Sequence, residues 1–229
     1  MSTVQTDPSV DALWERRWGW GGIAFVALVV AWFVVIVAVS RPGADASVED
    51  VRSFFGPGGD SAWLFLSSSL LGLAGLVFLL FLGSLRTVLR RAEGGTGRLS
   101  AVAFAAGVVF TGLLFAKNSI DLGAAIAVEW QDLEIDPGVY QLLDGLWAGL
   151  LMHEGVALGV LIGATSVVAL RTGVFPRWLG LTGVGLAILS VFSLLLFGAP
   201  LILDLLWLLA VGSLIQRGLA QQPMTSVPG

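Results

Sequence analysis

The sequence predicts an all-α polytopic membrane protein, a bundle of six transmembrane helices with both termini on the cytoplasmic side, and three observations predict it. The chain is 56% hydrophobic and 12% charged over 229 residues, against roughly 45–50% and 25% in soluble domains. Its charges are gathered between uncharged stretches long enough to cross a hydrocarbon core of roughly 30 Å. Its arginines then fall at alternate ends of those stretches, which sets the orientation.

The first uncharged stretch lies between Arg17 and Arg41 and the second between Asp60 and Arg86. Two long stretches follow, each interrupted by ionisable residues. From Arg177 to Arg217 there is no basic residue, and one helix over that distance would be roughly 58 Å long. Gly198-Ala199-Pro200 therefore divides it. The predicted spans are 18–40, 61–86, 99–128, 139–170, 178–197 and 201–216, a single domain over 18–216. A cytoplasmic amphipathic segment over 1–17 precedes it and a cytoplasmic tail over 217–229 follows.

With the N-terminus inside, Arg16, Arg17, Arg86, Arg90, Arg91, Arg98, Arg171, Arg177 and Arg217 are cytoplasmic, and only Arg41 and Arg52 are external. Trp14, Trp18, Trp20 and Trp178 fall at the inner boundary and Trp63, Trp130 and Tyr140 at the outer one, the belt positions of amphipathic rings. The expected location is the bacterial inner membrane, with lipid as the first partner. Arg16-Arg17, the apolar stretch and Ala44-Asp45-Ala46 imitate a signal peptide. The apolar stretch exceeds the roughly 7–15 residues of a signal core, so it reads as an uncleaved anchor.

Two further pieces read as helical. Asp7-Pro8 is a favoured helix start, with Val10, Leu13, Trp14 and Trp18 recurring at helical spacing. In the first external loop Ser47 and Asp50 form a capping-box-like start, and Val48, Val51 and Phe55 share a face. That helix reads either as a plug over an outer cavity or as an interfacial helix. Small residues at spacing four let helices approach closely in lipid. Gly145 and Gly149 form one such series, and Gly155, Gly159 and Gly163 form another on a different face. They predict a central fourth span and a surface for homo-oligomers.

The turn Pro176-Arg177-Trp178-Leu179-Gly180 and the Arg-rich segment Leu82 to Ser100 resemble hairpins of uncharacterised multi-pass membrane proteins of actinobacteria. The resemblance covers two cytoplasmic turns and the general hydropathy, and it carries no functional residue across.

Ionisable side chains inside spans are candidates for function, because each costs several kcal/mol unless paired or hydrated. Counting about 1.5 Å per residue, Asp144 lies about 6 Å below Tyr140, Asp204 about 6 Å below Pro200 taken as the outer boundary, and Asp121 about 14 Å inside Trp130. Lys117, His153 and Glu154 lie about 20 Å deep, near the midplane. The short acidic loop with Glu129, Asp132, Glu134 and Asp136 makes the third and fourth spans an antiparallel hairpin. Lys117 then faces the level of Glu154 and also stands one turn from Asp121. This constellation reads as a charge relay or as a salt bridge locking the hairpin. Glu154 and Asp121 are the expected proton donor and acceptor. Lys117, Asp144, His153, Asp204, Trp147 and Trp207 are the expected ligand-binding residues, with Asp144 and Asp204 forming an acidic mouth.

The absence of cysteine and the single histidine exclude thiolate zinc sites, iron–sulfur clusters, cysteine nucleophiles and bis-histidine haem. No cofactor and no metal is implied. Phosphate-cradling, serine-elbow and His-Glu-x-x-His motifs are missing, and no run of like charge suggests nucleic acid. Three readings remain. One is a transporter or binding protein for a small cationic or amphiphilic ligand taken from the outer face, coupled to protons. A second is an intramembrane enzyme acting on a lipid or isoprenoid, with Trp32, Trp147 and Trp207 lining its pocket in the manner of a terpene cyclase. The third is a structural subunit of a membrane complex.

Overall fold

A computed structural model describes residues 8–39, 41–43, 46–56, 58–192, 196 and 200–218, with side chains from Gly19 onward in the first helix. The elements are α1 (Pro8–Ala38), α2 (Val48–Phe55), α3 (Trp63–Glu93), α4 (Arg98–Gln131), α5 (Pro137–Thr172), α6 (Arg177–Val191) and α7 (Pro200–Gln216). No strand occurs among the described residues. Four helices are long and apolar enough to cross a membrane: Gly19–Ala38 of α1, and α3, α4 and α5. The stretch from Pro8 is not a separate surface piece, because it continues into the first span without a break.

α7 matches the predicted 201–216 to within one residue, whereas α6 is shorter than expected. α6 has 15 residues and α7 has 17, which at about 1.5 Å per residue gives roughly 22 and 25 Å. Both fall short of the hydrocarbon core. α6 ends at Val191 where a span to 197 is predicted, and most of the dividing segment lies outside the described residues.

Local chemistry explains the helix ends. Asp136 accepts from the N–H groups of Gly138 and Val139 and is followed by Pro137, so α5 starts with its orphan donors satisfied. α3 stops at Gly94, whose φ of 64° is a left-handed conformation that favours glycine. Glu93 then reaches across the turn and accepts from the N–H groups of Leu99 and Ser100, both at 2.9 Å. The last residue of α3 thereby caps α4, which has no side-chain cap of its own.

α1 packs on α3 and α7, α3 on α4, α4 on α5, and α5 on α6. The central contact is aromatic. Phe78 stands 4.5 Å from Phe25 and 5.1 Å from Phe110, ring to ring, with Phe81, Leu158, Leu161 and Ile162 buried around them. A Cβ added to Gly19 would lie 2.7 Å from the backbone nitrogen of Gln216, and one added to Gly22 3.2 Å from Cα of Gly212. Glycine is what permits that approach of α1 to α7. On α5, Gly159 and Gly163 pack on Ser190 and Ala187 of α6, whereas Gly145 and Gly149 face open space. Only the second predicted glycine series therefore makes contact within the chain.

At the end of the bundle carrying Arg41 and the α4–α5 loop, α2 packs over the helices. Ser47 accepts from the Asp50 N–H and Asp50 accepts from the Ser47 N–H, completing the capping box. Val51, Phe54 and Phe55 are buried against Leu64, Ala124, Ala125 and Tyr140, each contributing about 1.5–3 kcal/mol of burial. Val48 is exposed and Phe54 takes its expected place on the buried face.

Candidate functional site

Lys117 and Asp121 stand one turn apart on α4, and Asp144, Trp147 and Glu154 lie at offsets of three and seven along one face of α5. The α4–α5 hairpin brings the two faces together. Lys117 Nζ donates to Glu154 Oε2 at 2.9 Å, and both side chains are only 3% exposed. Depth, rather than helical spacing, selected the partner: Asp121 pairs elsewhere.

Its partner is Arg41, just beyond the end of α1. The guanidinium donates through Nε at 3.1 Å and Nη2 at 2.9 Å to Asp121 Oδ1, and through Nη1 at 2.8 Å to Asp144 Oδ1. Burial works against the charge of Arg41, but Asp121 and then Tyr140 and Asp144 outweigh it, so its pKa is raised and it stays cationic. Tyr140 donates to the Pro42 carbonyl at 2.7 Å, anchoring the backbone beside the arginine. Arg41 was expected in the external loop and was not among the predicted site residues. A signal for it existed: an arginine on the outer side runs against the positive-inside bias, in a chain whose spans hold unpaired acids.

Trp147 lies between the two cations. Arg41 Cζ and Lys117 Nζ are each 5.1 Å from its ring centroid, inside the range of a cation–π contact. Trp32 of α1 adds a second ring 5.5 Å from Lys117. The result is a ladder running from the middle of the bundle to the end that carries α2: Glu154, Lys117, Trp147, Arg41, then Asp121 and Asp144. Fully ionised, its two cations and three carboxylates would carry a net charge of -1. Among the described residues Glu154 Oε1 has no hydrogen-bond partner. Among the described residues no three acidic or histidine side chains converge as a metal site.

Three predicted site residues stand outside the ladder. His153 is on the exposed side of α5, its Nδ1 2.7 Å from the Gly149 carbonyl, because its side chain is turned about 100° from Glu154. Trp207 of α7 donates to the Leu179 carbonyl at 3.0 Å. Asp204 is fully buried and accepts from Ser190 Oγ at 2.8 Å. It does not join Asp144 in an acidic mouth, since Asp144 is occupied by Arg41. Beside α2, a cleft of about 610 Å³ is lined by Val39, Pro42, Gly43, Asp50, Phe54 and Asp60 among others, and Pro42 is the link between cleft and ladder.

Fold and site together define a helical membrane protein with a charged, aromatic-lined interior confined to one half of its bundle. No family model, no curated protein and no solved structure matches the chain.

Proposed function

We propose that the protein binds a small cationic or amphiphilic ligand at this ladder, taken from the outer face of a bacterial cell membrane, and moves it in exchange with protons at Glu154 or Asp121. The observation that carries the reading is Trp147, whose ring already receives a primary ammonium and a guanidinium, flanked by one carboxylate more than there are cations. An incoming amine can take either cation's place with the same partners, and the unpartnered Glu154 Oε1 is a ready acceptor. The orientation with both termini cytoplasmic follows from the arginine bias, with α1, α3, α4 and α5 crossing and α6–α7 entering from the cytoplasmic side.

One observation favours a purely structural role: both cations are paired, as in a lock between α1, α4 and α5. The enzyme reading has less support, because Trp207 bonds the backbone of α6 instead of sharing a pocket with Trp32 and Trp147. The test is uptake of guanidinium and tetramethylammonium into proteoliposomes under an imposed proton gradient. Glu154→Gln is expected to abolish uptake and its pH dependence. A Lys117→Met, Glu154→Gln double variant that folds, combined with wild-type vesicles that neither bind nor accumulate either probe, would make the ladder a structural lock.

A further inference from the structure

A second buried acid lies away from the ladder. Asp204 is 0% exposed, and only one of its oxygens is bonded, Oδ2, which accepts from Ser190 Oγ. Oδ1 has no partner. Its depth is not that of a residue near the outer boundary. Ser190 packs against Gly159, where an added Cβ would meet Ser190 Cβ at 2.8 Å, and Gly159 lies five positions inward of Glu154 on α5. The Ser190–Asp204 pair is therefore at or inward of the Lys117–Glu154 level, where α6 and α7 are held together.

No charge compensates it there. α7 packs on α1, α5 and α6. The described side chains of α1, from Gly19 to Ala38, include no charged residue. The only one on α6 is Arg177, at the opposite end of that helix from Ser190. On α5, Glu154 is engaged by Lys117, His153 is on the exposed side, and Arg171 stands in the last turn. The chain between α6 and α7, residues 192–199, contains no titratable side chain. A bare carboxylate with one solvating hydroxyl in such a place would cost several kcal/mol, which a neutral carboxyl avoids. Three side-chain oxygens from Asp204 and Ser190 are too few for a sodium ion, whereas a proton needs no more.

We propose that Asp204 is a proton-binding site within the membrane-embedded α6–α7 hairpin, independent of the ladder and of any ligand bound there. Such a carboxyl reacts with a hydrophobic carbodiimide. Its proton passes to one carbodiimide nitrogen as the carboxylate oxygen bonds to the central carbon, and the acyl group then shifts from oxygen to nitrogen, leaving a stable N-acylurea with no leaving group.

The test treats the full-length protein in detergent with dicyclohexylcarbodiimide and maps the adduct by peptide mass spectrometry. The expected result is modification at Asp204 that slows as pH rises, is unaffected by sodium, and is not reproduced by a water-soluble carbodiimide. Ser190→Ala is expected to fold and to remain modified. Asp204→Asn, which mimics the neutral carboxyl, is expected to lose the adduct and to melt no lower than wild type at neutral pH. Because a retained proton stabilises the native state less as pH rises, the gap in Tm in favour of Asn widens toward alkaline pH. Absence of an adduct at Asp204, protection by sodium, or an Asp204→Asn variant that melts lower at neutral pH would each overturn the proposal.

Discussion

Arg41 and Asp121, 80 positions apart in the chain, are joined through two guanidinium nitrogens on a single carboxylate oxygen, at 3.1 and 2.9 Å. This bond closes the segment after α1 over the α4–α5 hairpin. The same guanidinium then reaches Asp144, so one side chain from outside the spans neutralises two acids within them.

Replacing Arg41 with Gln leaves both acids without their cation, and loss of one partner of a buried pair costs about 3–5 kcal/mol. The thermal midpoint in detergent is expected to fall accordingly. Asp121→Asn on the Arg41→Gln background should recover part of that loss, and strictly additive losses would show that the two residues are not coupled. Arg41→Lys should also destabilise, since an ammonium cannot reproduce the forked contact.

The close contact between α1 and α7 is tested at Gly19. An added methyl there meets backbone atoms of Gln216 at 2.7 and 2.9 Å, and a backbone cannot turn aside as a side chain tip can. Gly19→Ala is expected to cost about 1–3 kcal/mol through forced separation of the helices. Gly112→Ala, where nothing lies within 4 Å, is expected to leave the melting temperature unchanged or slightly raised. Equal effects from the two changes would argue against this packing.

Asp50 is held below the usual carboxylate range by the Ser47 hydroxyl and then the Ser47 N–H. A depressed acid stabilises fully above its unfolded pKa, about 3.9, and the contribution is lost as pH falls through the lower folded value. Hydrogen exchange in residues 48–55, corrected for intrinsic rates, should therefore be unchanged from neutral pH to about 5 and accelerate only below about 4. Asp50→Asn should remove that acid-dependent step.

Orientation is tested with cysteines, which the natural chain lacks. Glu49→Cys and Glu134→Cys should react with an impermeant maleimide added to intact cells, and Thr96→Cys only after permeabilisation. Reaction of Thr96→Cys in intact cells would invert the arrangement.

The Lys117–Glu154 contact was legible in the sequence because a short loop forces α4 and α5 antiparallel, and depth along two such helices is simple counting. The role of Arg41 was not, since where a residue beyond a helix end turns depends on how α1 is seated against α3 and α7. Hydropathy located the apolar stretch from 178 to 216, and the Gly198-Ala199-Pro200 break gave the start of α7 to within one residue, but neither gave the end of α6, because an apolar loop and an apolar helix have the same composition. Asp204 was consequently measured from the wrong reference: Pro200 was taken as the outer boundary, whereas the Ser190–Gly159 contact places the top of α6 near the middle of α5.

Inward of Lys117, the interior between α1, α3, α4 and α5 is filled by Phe25, Phe78, Phe81 and Phe110 with leucines around them. A layer of hydrocarbon and aromatic rings is a poor dielectric, and the ladder's charged side chains are at most 10% exposed, so an applied voltage falls across both. An elementary charge crossing the whole field exchanges about 2.3 kcal/mol per 100 mV, but one displaced only between the levels of Arg41 and Lys117 collects a part of that. A charge moved within the ladder therefore does electrical work in proportion to the fraction of the field it crosses.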